Sequence, residues 1–298
     1  MGAAAINVRE LARADLPAAA EFCERARAAD PFIEPFAYRL PAIADGPRAL
    51  LGLWRVAHDE DGTVHGVSFV ALREERSAGG ADRTTADVYV AVAPGLRRQG
   101  LGRALCSPAM EWARSERATL RARVRDEASA GRAFLRALGF AETAGQLTLE
   151  WSARPVERAA MPALRIRRLV PGDALGELER LSREAWSGAP GAFGSRSDEI
   201  ARLVAEERRL VLVGETDRRA VGYLSAVWLG RTLAIEEVAV LPEFRRMGIG
   251  RALLAAALPG AAHAVLSVFE TNQAARSLYR SFGFSVSARR LVYEWRDA

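Results

Sequence analysis

The sequence contains no lysine: all 42 basic residues are arginine. They stand against 37 acidic residues, for a formal net charge of +5. The arginines are scattered and interleaved with acids rather than gathered into a basic stripe, which argues against a nucleic-acid partner. Arginine in place of lysine, together with abundant alanine, is the composition of a GC-rich coding sequence. Cysteine is scarce: Cys23 and Cys106 lie far apart, with no CxxC spacing. That excludes a disulfide framework and a cysteine-based metal site. His58, His65 and His263 are isolated and lack ligand spacing, so no metal is expected. No apolar run reaches the length of a membrane span. The opening MGAAAINVRELARAD carries early charges and lacks the apolar core of a signal peptide. These absences point to a cytoplasmic setting without a membrane partner.

What is present is a repeat. The chain has 298 residues, half of them hydrophobic, enough for two ordinary domains. Val8-Arg9-Glu10-Leu11 matches Ile166-Arg167-Arg168-Leu169, and each is followed by an aspartate, Asp15 or Asp173. The stretch from Val90 to Leu105 matches that from Val238 to Leu253 without a gap. Leu138-Gly139-Phe140 matches Phe282-Gly283-Phe284, and Glu150-Trp151 matches Glu294-Trp295. The order is preserved throughout. Residues 1–151 therefore read as one domain, 152–163 as a linker with two prolines, and 164–298 as a second domain.

Hydrophobic periodicity predicts mixed α and β structure in each repeat. In the first, strands are expected at 50–56, 64–71 and 86–93, and a helix from Gly100 to Ser115. In the second, strands are expected at 210–214, 221–228, 233–241 and 265–269, with helices over 250–258 and 274–282. Each repeat thus has a strand–loop–helix unit at its centre. Arg97-Arg98-Gln99-Gly100-Leu101-Gly102 and Arg245-Arg246-Met247-Gly248-Ile249-Gly250 form the two loops. N–H groups at a helix start are unpaired and carry the positive end of the helix dipole. Glycine lets the loop curl and an anion come close, so each loop suits a pyrophosphate. Neither has the GK[ST] of a P-loop or the third glycine of a dinucleotide fingerprint.

The pattern V-x-V-x-P-x-x-R-R-x-G-x-G-R-A-L, present twice, resembles the acetyl-CoA-binding motif of the GNAT N-acetyltransferase superfamily. Asn272 to Phe284 also resembles that family's N-x-x-A-x-x-L-Y-x-x-x-G-F segment. The implied fold is α+β, of the three-layer α/β kind: two domains in tandem, each a twisted, mixed, mostly antiparallel sheet flanked by helices. The implied activity is transfer of an acetyl group from acetyl-CoA to a primary amine of a small molecule or amino-acid-like metabolite. The resemblance implies that Val238, Ala239 and Val240 pair with the pantetheine arm. It implies that Arg245, Arg246, Gly248, Ile249, Gly250 and Arg251 hold the diphosphate, and that Asn272 contacts the cofactor. In the first repeat Val90, Val92, Arg97, Arg98, Gly100, Gly102 and Arg103 are the matching set.

Acyl transfer to an amine needs a proton acceptor, close approach and stabilisation of an oxyanion; a proton for the leaving thiolate helps. By resemblance Glu236 is the base, Tyr279 protonates the sulfur, and the N–H of Val238 or Ala239 is the oxyanion donor. Strict strand alternation puts neighbouring Glu237 on the opposite sheet face. Aligned on its own anchors, the first repeat sets Val88, Ala128 and Leu135 opposite Glu236, Asn272 and Tyr279, so the second repeat is expected to be catalytic and the first not. Asp87 could replace the base only if the strand register shifts. The bland readings are a solvated Glu236 and a Tyr279 that merely packs. Trp186, Phe193 and Trp228 suit a core as well as an acceptor pocket; Asp198, Glu199, Glu206 and Glu207 suit a solvated helix face. Two other functions fit the motifs: an acyl-CoA-binding regulatory module without turnover, and a peptide N-terminal acetyltransferase. A monomer with an internal pseudo-dimer is expected.

Overall fold

The computed structural model describes residues 6–30, 44, 49–73, 84–156, 161, 163–173, 175–185, 204–217 and 219–297. In chain order the strands are β1 (Asn7–Glu10), β2 (Arg55–His58), β3 (Val64–Arg73), β4 (Thr85–Val92), β5 (Thr119–Arg125), β6 (Ala141–Ser152), β7 (Arg165–Arg168), β8 (Arg209–Thr216), β9 (Arg219–Leu229), β10 (Thr232–Val240), β11 (His263–Phe269) and β12 (Ser285–Trp295). The helices are α1 (Leu16–Ala29), α2 (Leu101–Ser115), α3 (Ser129–Ala137), α4 (Gly176–Ala185), α5 (Ile249–Ala257) and α6 (Gln273–Ser281). The strand expected over 50–56 starts late. Leu51–Leu53 form a 3₁₀ turn, Trp54 is buried with its indole N–H on the Val70 carbonyl (2.7 Å), and β2 begins at Arg55.

The chain forms two compact units, and the first is not contiguous in sequence. One contains β1–β5 and is completed by the chain from Arg290 onward; the other spans Gly145–Arg289. Within the first unit the strand order is β1-β2-β3-β4-β5-β12, and within the second β7-β8-β9-β10-β11-β6. Both are antiparallel except for one parallel pair, β4 with β5 or β10 with β11. Each is the mixed, mostly antiparallel sheet implied by the motifs. The last strand of each unit belongs to the other repeat. Leu291 pairs with Val124 and Trp295 with Leu120, while Leu149 pairs with Leu266 and Trp151 with Ala264.

The repeated letters have local reasons. Arg9 bonds Asp15 at 2.6 and 2.8 Å, and Asp15 Oδ2 accepts the Ala12 N–H. Arg167 bonds Asp173 at 3.1 Å, and Asp173 Oδ2 accepts the Val170 N–H. The Gly-Phe pairs are helix stops. Gly139 and Gly283 have φ of +85° and +86°, a conformation glycine adopts without penalty. Phe140 N–H then reaches back to the Leu135 carbonyl, and Phe284 N–H to that of Tyr279. This closes α3 and α6 in Schellman fashion.

Cys23 and Cys106 are buried in the first unit, and burial pushes both thiols up to about 12. The thiolate is the reactive form, so at pH 8 neither should react with an aromatic disulfide reagent until the protein unfolds. Titrating thiols with and without denaturant checks this; a fast native reaction at either cysteine would contradict the packing of α1 or α2.

Candidate active site

The second unit opens along β10. Its parallel ladder with β11 covers Thr232–Ile235 and stops at Ile235↔Leu266, while the antiparallel ladder with β9 continues to Val240↔Gly222. Leu241 N–H bonds the Val221 carbonyl at 2.9 Å, so residues of its parity, Ala239 among them, direct their polar groups toward β9. Val238 and Val240 therefore direct theirs toward β11, where the ladder has ended. Of the two sequence candidates for an oxyanion donor, only the Val238 N–H faces the opening. In the first unit, β4 parts from β5 after Asp87↔Arg121, and Val90 and Val92 occupy the equivalent edge.

At the end of that edge lies the glycine loop. Gly248 caps α5 at φ +89° and Gly100 caps α2 at φ +84°. Among the described residues, the first bond into α5 is from Ala252 N–H to the Gly248 carbonyl, which leaves the N–H groups of Gly248 through Arg251 without a backbone acceptor. Arg246 and Arg98 hold φ of +66° and +65°, unusual for a side chain with a Cβ and a mark of functional loops. A Cβ on Gly100 would meet nothing within 4 Å; one on Gly248 would sit 3.5 Å from Met161 Sδ. Room, free donors and an unpaired strand edge fit a diphosphate with an extended arm.

The arginines divide in their tasks. Arg246 and Arg98 are exposed. Arg245 donates to the Val240 and Ala185 carbonyls, and Arg97 to the Val92 carbonyl, with Asp30 as ion partner. Arg251 lies over the Phe282 ring and bonds Ser281, and Arg103 bonds the Ala137 carbonyl. Gly250 packs near Leu278 and Gly102 against Phe134. Ile249 is buried. Asn272 caps α6 through the Ala275 N–H; Ala128 has nearly the same backbone angles without the cap. Tyr279 is buried against Phe284, its phenol pushed up to about 12 by desolvation, and Leu135 occupies the matching place.

The carboxylates are where alternation fails. The β9–β10 register jumps from Ile235↔Ala226 to Glu237↔Ser225, so Glu236 is the extra residue of a β-bulge. Before the bulge Leu233 and Ile235 face the core under α5 and α6; after it Val238 and Val240 do. Glu236 and Glu237 consequently share the other face, the one packed under α4 with Tyr223 and Ala239. This corrects the expectation that Glu237 points away. Glu237 accepts the Tyr223 hydroxyl at 2.6 Å, and that hydroxyl lies 3.2 Å from Ser182 Oγ. Glu236 Oε2 accepts from Arg209, whose guanidinium also reaches Ser225 Oγ and Glu206 Oε2, each at 3.3 Å.

The first unit has no bulge in the corresponding ladder: β3 and β4 pair without interruption from Gly66↔Val92 to Arg73↔Thr85. The parallel ladders then align Ala234 with Asp87 and Ile235 with Val88, so Glu236 has no counterpart at all. A gap-free alignment cannot reveal this. Where the second unit has Ser225 and Glu237, the first has Phe69 stacked on Tyr89 at 5.9 Å, with Trp54 edge-on to Phe69 at 4.9 Å. Asp87 is on this face, held by Arg121 and Arg123. Trp228 packs under α5 and α6, on the face opposite the carboxylates; Glu206 belongs to the arginine network and Glu207 is exposed. Trp186, Phe193, Asp198 and Glu199 lie outside the described residues. Arg209, Ser225 and Tyr223 carried no motif; the only signal was a Glu-Glu pair within an otherwise apolar strand.

A family model for the acetyltransferase (GNAT) family matches residues 9–140 and again 176–284. The chain belongs to the GNAT family. No curated protein matches it. Among solved structures, a GCN5-related N-acetyltransferase from Sphaerobacter thermophilus is 22% identical over 98% of this chain and 95% of that one, with a TM-score of 0.75. A tandem GNAT protein from the clavulanic acid biosynthesis pathway is 19% identical over 98% of both chains, TM-score 0.74. A GCN5-related N-acetyltransferase from Kribbella flavida is 14% identical over 98% of this chain and 71% of that one, TM-score 0.61. At these identities the likeness is one of fold. The chain is thus a tandem GNAT protein, of a family that transfers acyl groups. Among the described residues no helix is long and apolar enough to cross a membrane.

Proposed function

We propose that the chain is an acetyl-CoA-dependent N-acetyltransferase in which the second repeat, 164–298, performs the transfer and the first, 1–151, does not. The observation that carries this reading is the bulge carboxylate: Glu236 lies beside the open β10 edge, with Oε2 held by Arg209 and Oε1 accepting no bond among the described residues. Acetyl-CoA, when bound, supplies the activated acyl group. The N–H groups at the start of α5 and the exposed Arg246 favour its diphosphate. Val238 and Val240 offer strand-like pairing to an extended arm, and the Val238 N–H is the donor available to an oxyanion. Glu236 takes the proton of the incoming amine, directly or through water. Burial keeps the Tyr279 phenol protonated, the form that a general acid requires.

The acceptor is a primary amine of a small molecule or amino-acid-like metabolite. The protein works as a cytoplasmic monomer, with no nucleic-acid or membrane partner. The ring-filled face of the first unit favours a second role for that repeat: a cradle that binds an acyl-CoA without transferring from it. Thiol release from acetyl-CoA with a panel of alkylamines, amino sugars, polyamines and amino-acid amides tests the proposal. Amine-dependent release is expected; tight binding of acetyl-CoA with no release for any amine would favour the regulatory module.

A further inference from the structure

We infer that Arg209 is a positioning residue for the transfer, holding Glu236 in the orientation from which Oε1 meets the amine. The inference rests on the reading of Glu236 as the proton acceptor. A bulge residue has no opposite number in the ladder, and the Glu236 side chain is 39% exposed. Left alone, such a carboxylate would exchange among rotamers. Arg209, by contrast, is 8% exposed at the side chain and fixed from three directions. Its own N–H bonds the Glu206 carbonyl at 2.9 Å, which folds Glu206 back to meet the guanidinium. Ser225 Oγ takes Nη1 from β9, the strand between β8 and β10. The Arg209 carbonyl accepts Nη2 of Arg168 at 3.0 Å.

The guanidinium therefore crosses from β8 over β9 to the bulge, and among the described residues only one Glu236 oxygen is engaged. Burying an arginine is costly unless it is paired and bonded. Glu206 and Ser225 already supply partners, so the reach to Glu236 goes beyond what burial of Arg209 demands. In the first unit the corresponding ladder has no bulge, and Phe69 stacked on Tyr89 occupies this face.

The test uses the full chain, acetyl-CoA and the most reactive amine of the panel. Arg209→Met should lower kcat by about 10- to 100-fold, the scale of a displaced catalytic group, while leaving the KM for acetyl-CoA unchanged. Arg209→Lys should recover part of the loss. In the Arg209→Met/Glu236→Gln double variant the arginine change should cost nothing further, because Arg209 acts only through Glu236. An unchanged kcat in Arg209→Met, or losses that multiply in the double variant, would overturn the inference. If Arg209→Met fails to fold, Ser225→Ala decides, with a drop in kcat at constant KM expected and no change contradicting it. Normal turnover by Glu236→Gln would instead remove the base assignment, and the role of Arg209 with it. A wild-type chain that acetylates no amine would remove the transfer reading itself.

Discussion

A chain ending at Arg289 should fail to fold its N-terminal unit, although residues 6–144 are all present. The reason is β12. Leu291, Tyr293 and Trp295 belong to the buried core of the first unit alongside Trp54, Phe69 and Leu120. Tyr293 is fully buried, with its hydroxyl on Glu142 at 3.1 Å, and Arg114 stacks over the Trp295 ring. Removing one such aromatic side chain costs about 3–5 kcal/mol, and a whole domain is stable by only about 5–15 kcal/mol. Losing three large side chains and the ladder along β5 should exceed what the unit can bear. Tyr293→Ala is the milder version, at roughly 3–5 kcal/mol. Hydrogen exchange resolves the effect by region. Amides of β2–β5 should lose protection while those of β8–β11, whose sheet is closed by Gly145–Ser152, keep theirs. Equal protection in both units would contradict the exchange of terminal strands.

The second large effect is chemical. Glu236→Gln keeps the size of the side chain and an oxygen for Arg209 but removes the proton acceptor. General-base catalysis is worth about 10²- to 10⁴-fold, so kcat should fall by that order. Acetyl-CoA binding should persist, since the Val238–Val240 edge and the Gly248 loop are untouched.

Much of this was legible in the sequence because it is local. The glycine loops, the helix stops at Gly139 and Gly283, and the Arg9–Asp15 and Arg167–Asp173 pairs each depend on residues within one turn or loop, and they recur almost letter for letter. The fold class followed from them. Two features were not legible, for two physical reasons. A bulge is a single inserted residue, and an alignment anchored at Val90 and Val238 absorbs it upstream without a visible gap; Glu236 then falls opposite Val88, with which it shares no place in the ladder. The exchange of strands is a choice of partner between near-identical ends. Glu150-Trp151 and Glu294-Trp295 carry the same local signal. Trp151 donates to the Phe282 carbonyl, and Trp295 lies beside Gly139. Each tryptophan seats on the helix stop of the opposite repeat, and nothing in the local sequence distinguishes the two seatings.

Asp87 lies on the corresponding face of the first unit, and it is bound to Arg121 and Arg123. Steady-state acetyl-CoA turnover by Glu236→Gln and Asp87→Asn, measured side by side with acetyl-CoA binding, separates one working repeat from two. With one, Glu236→Gln loses at least about 100-fold in kcat while binding is retained, and Asp87→Asn matches the wild type. Near-normal turnover by Glu236→Gln, or an equal loss in Asp87→Asn, would contradict transfer confined to the second repeat.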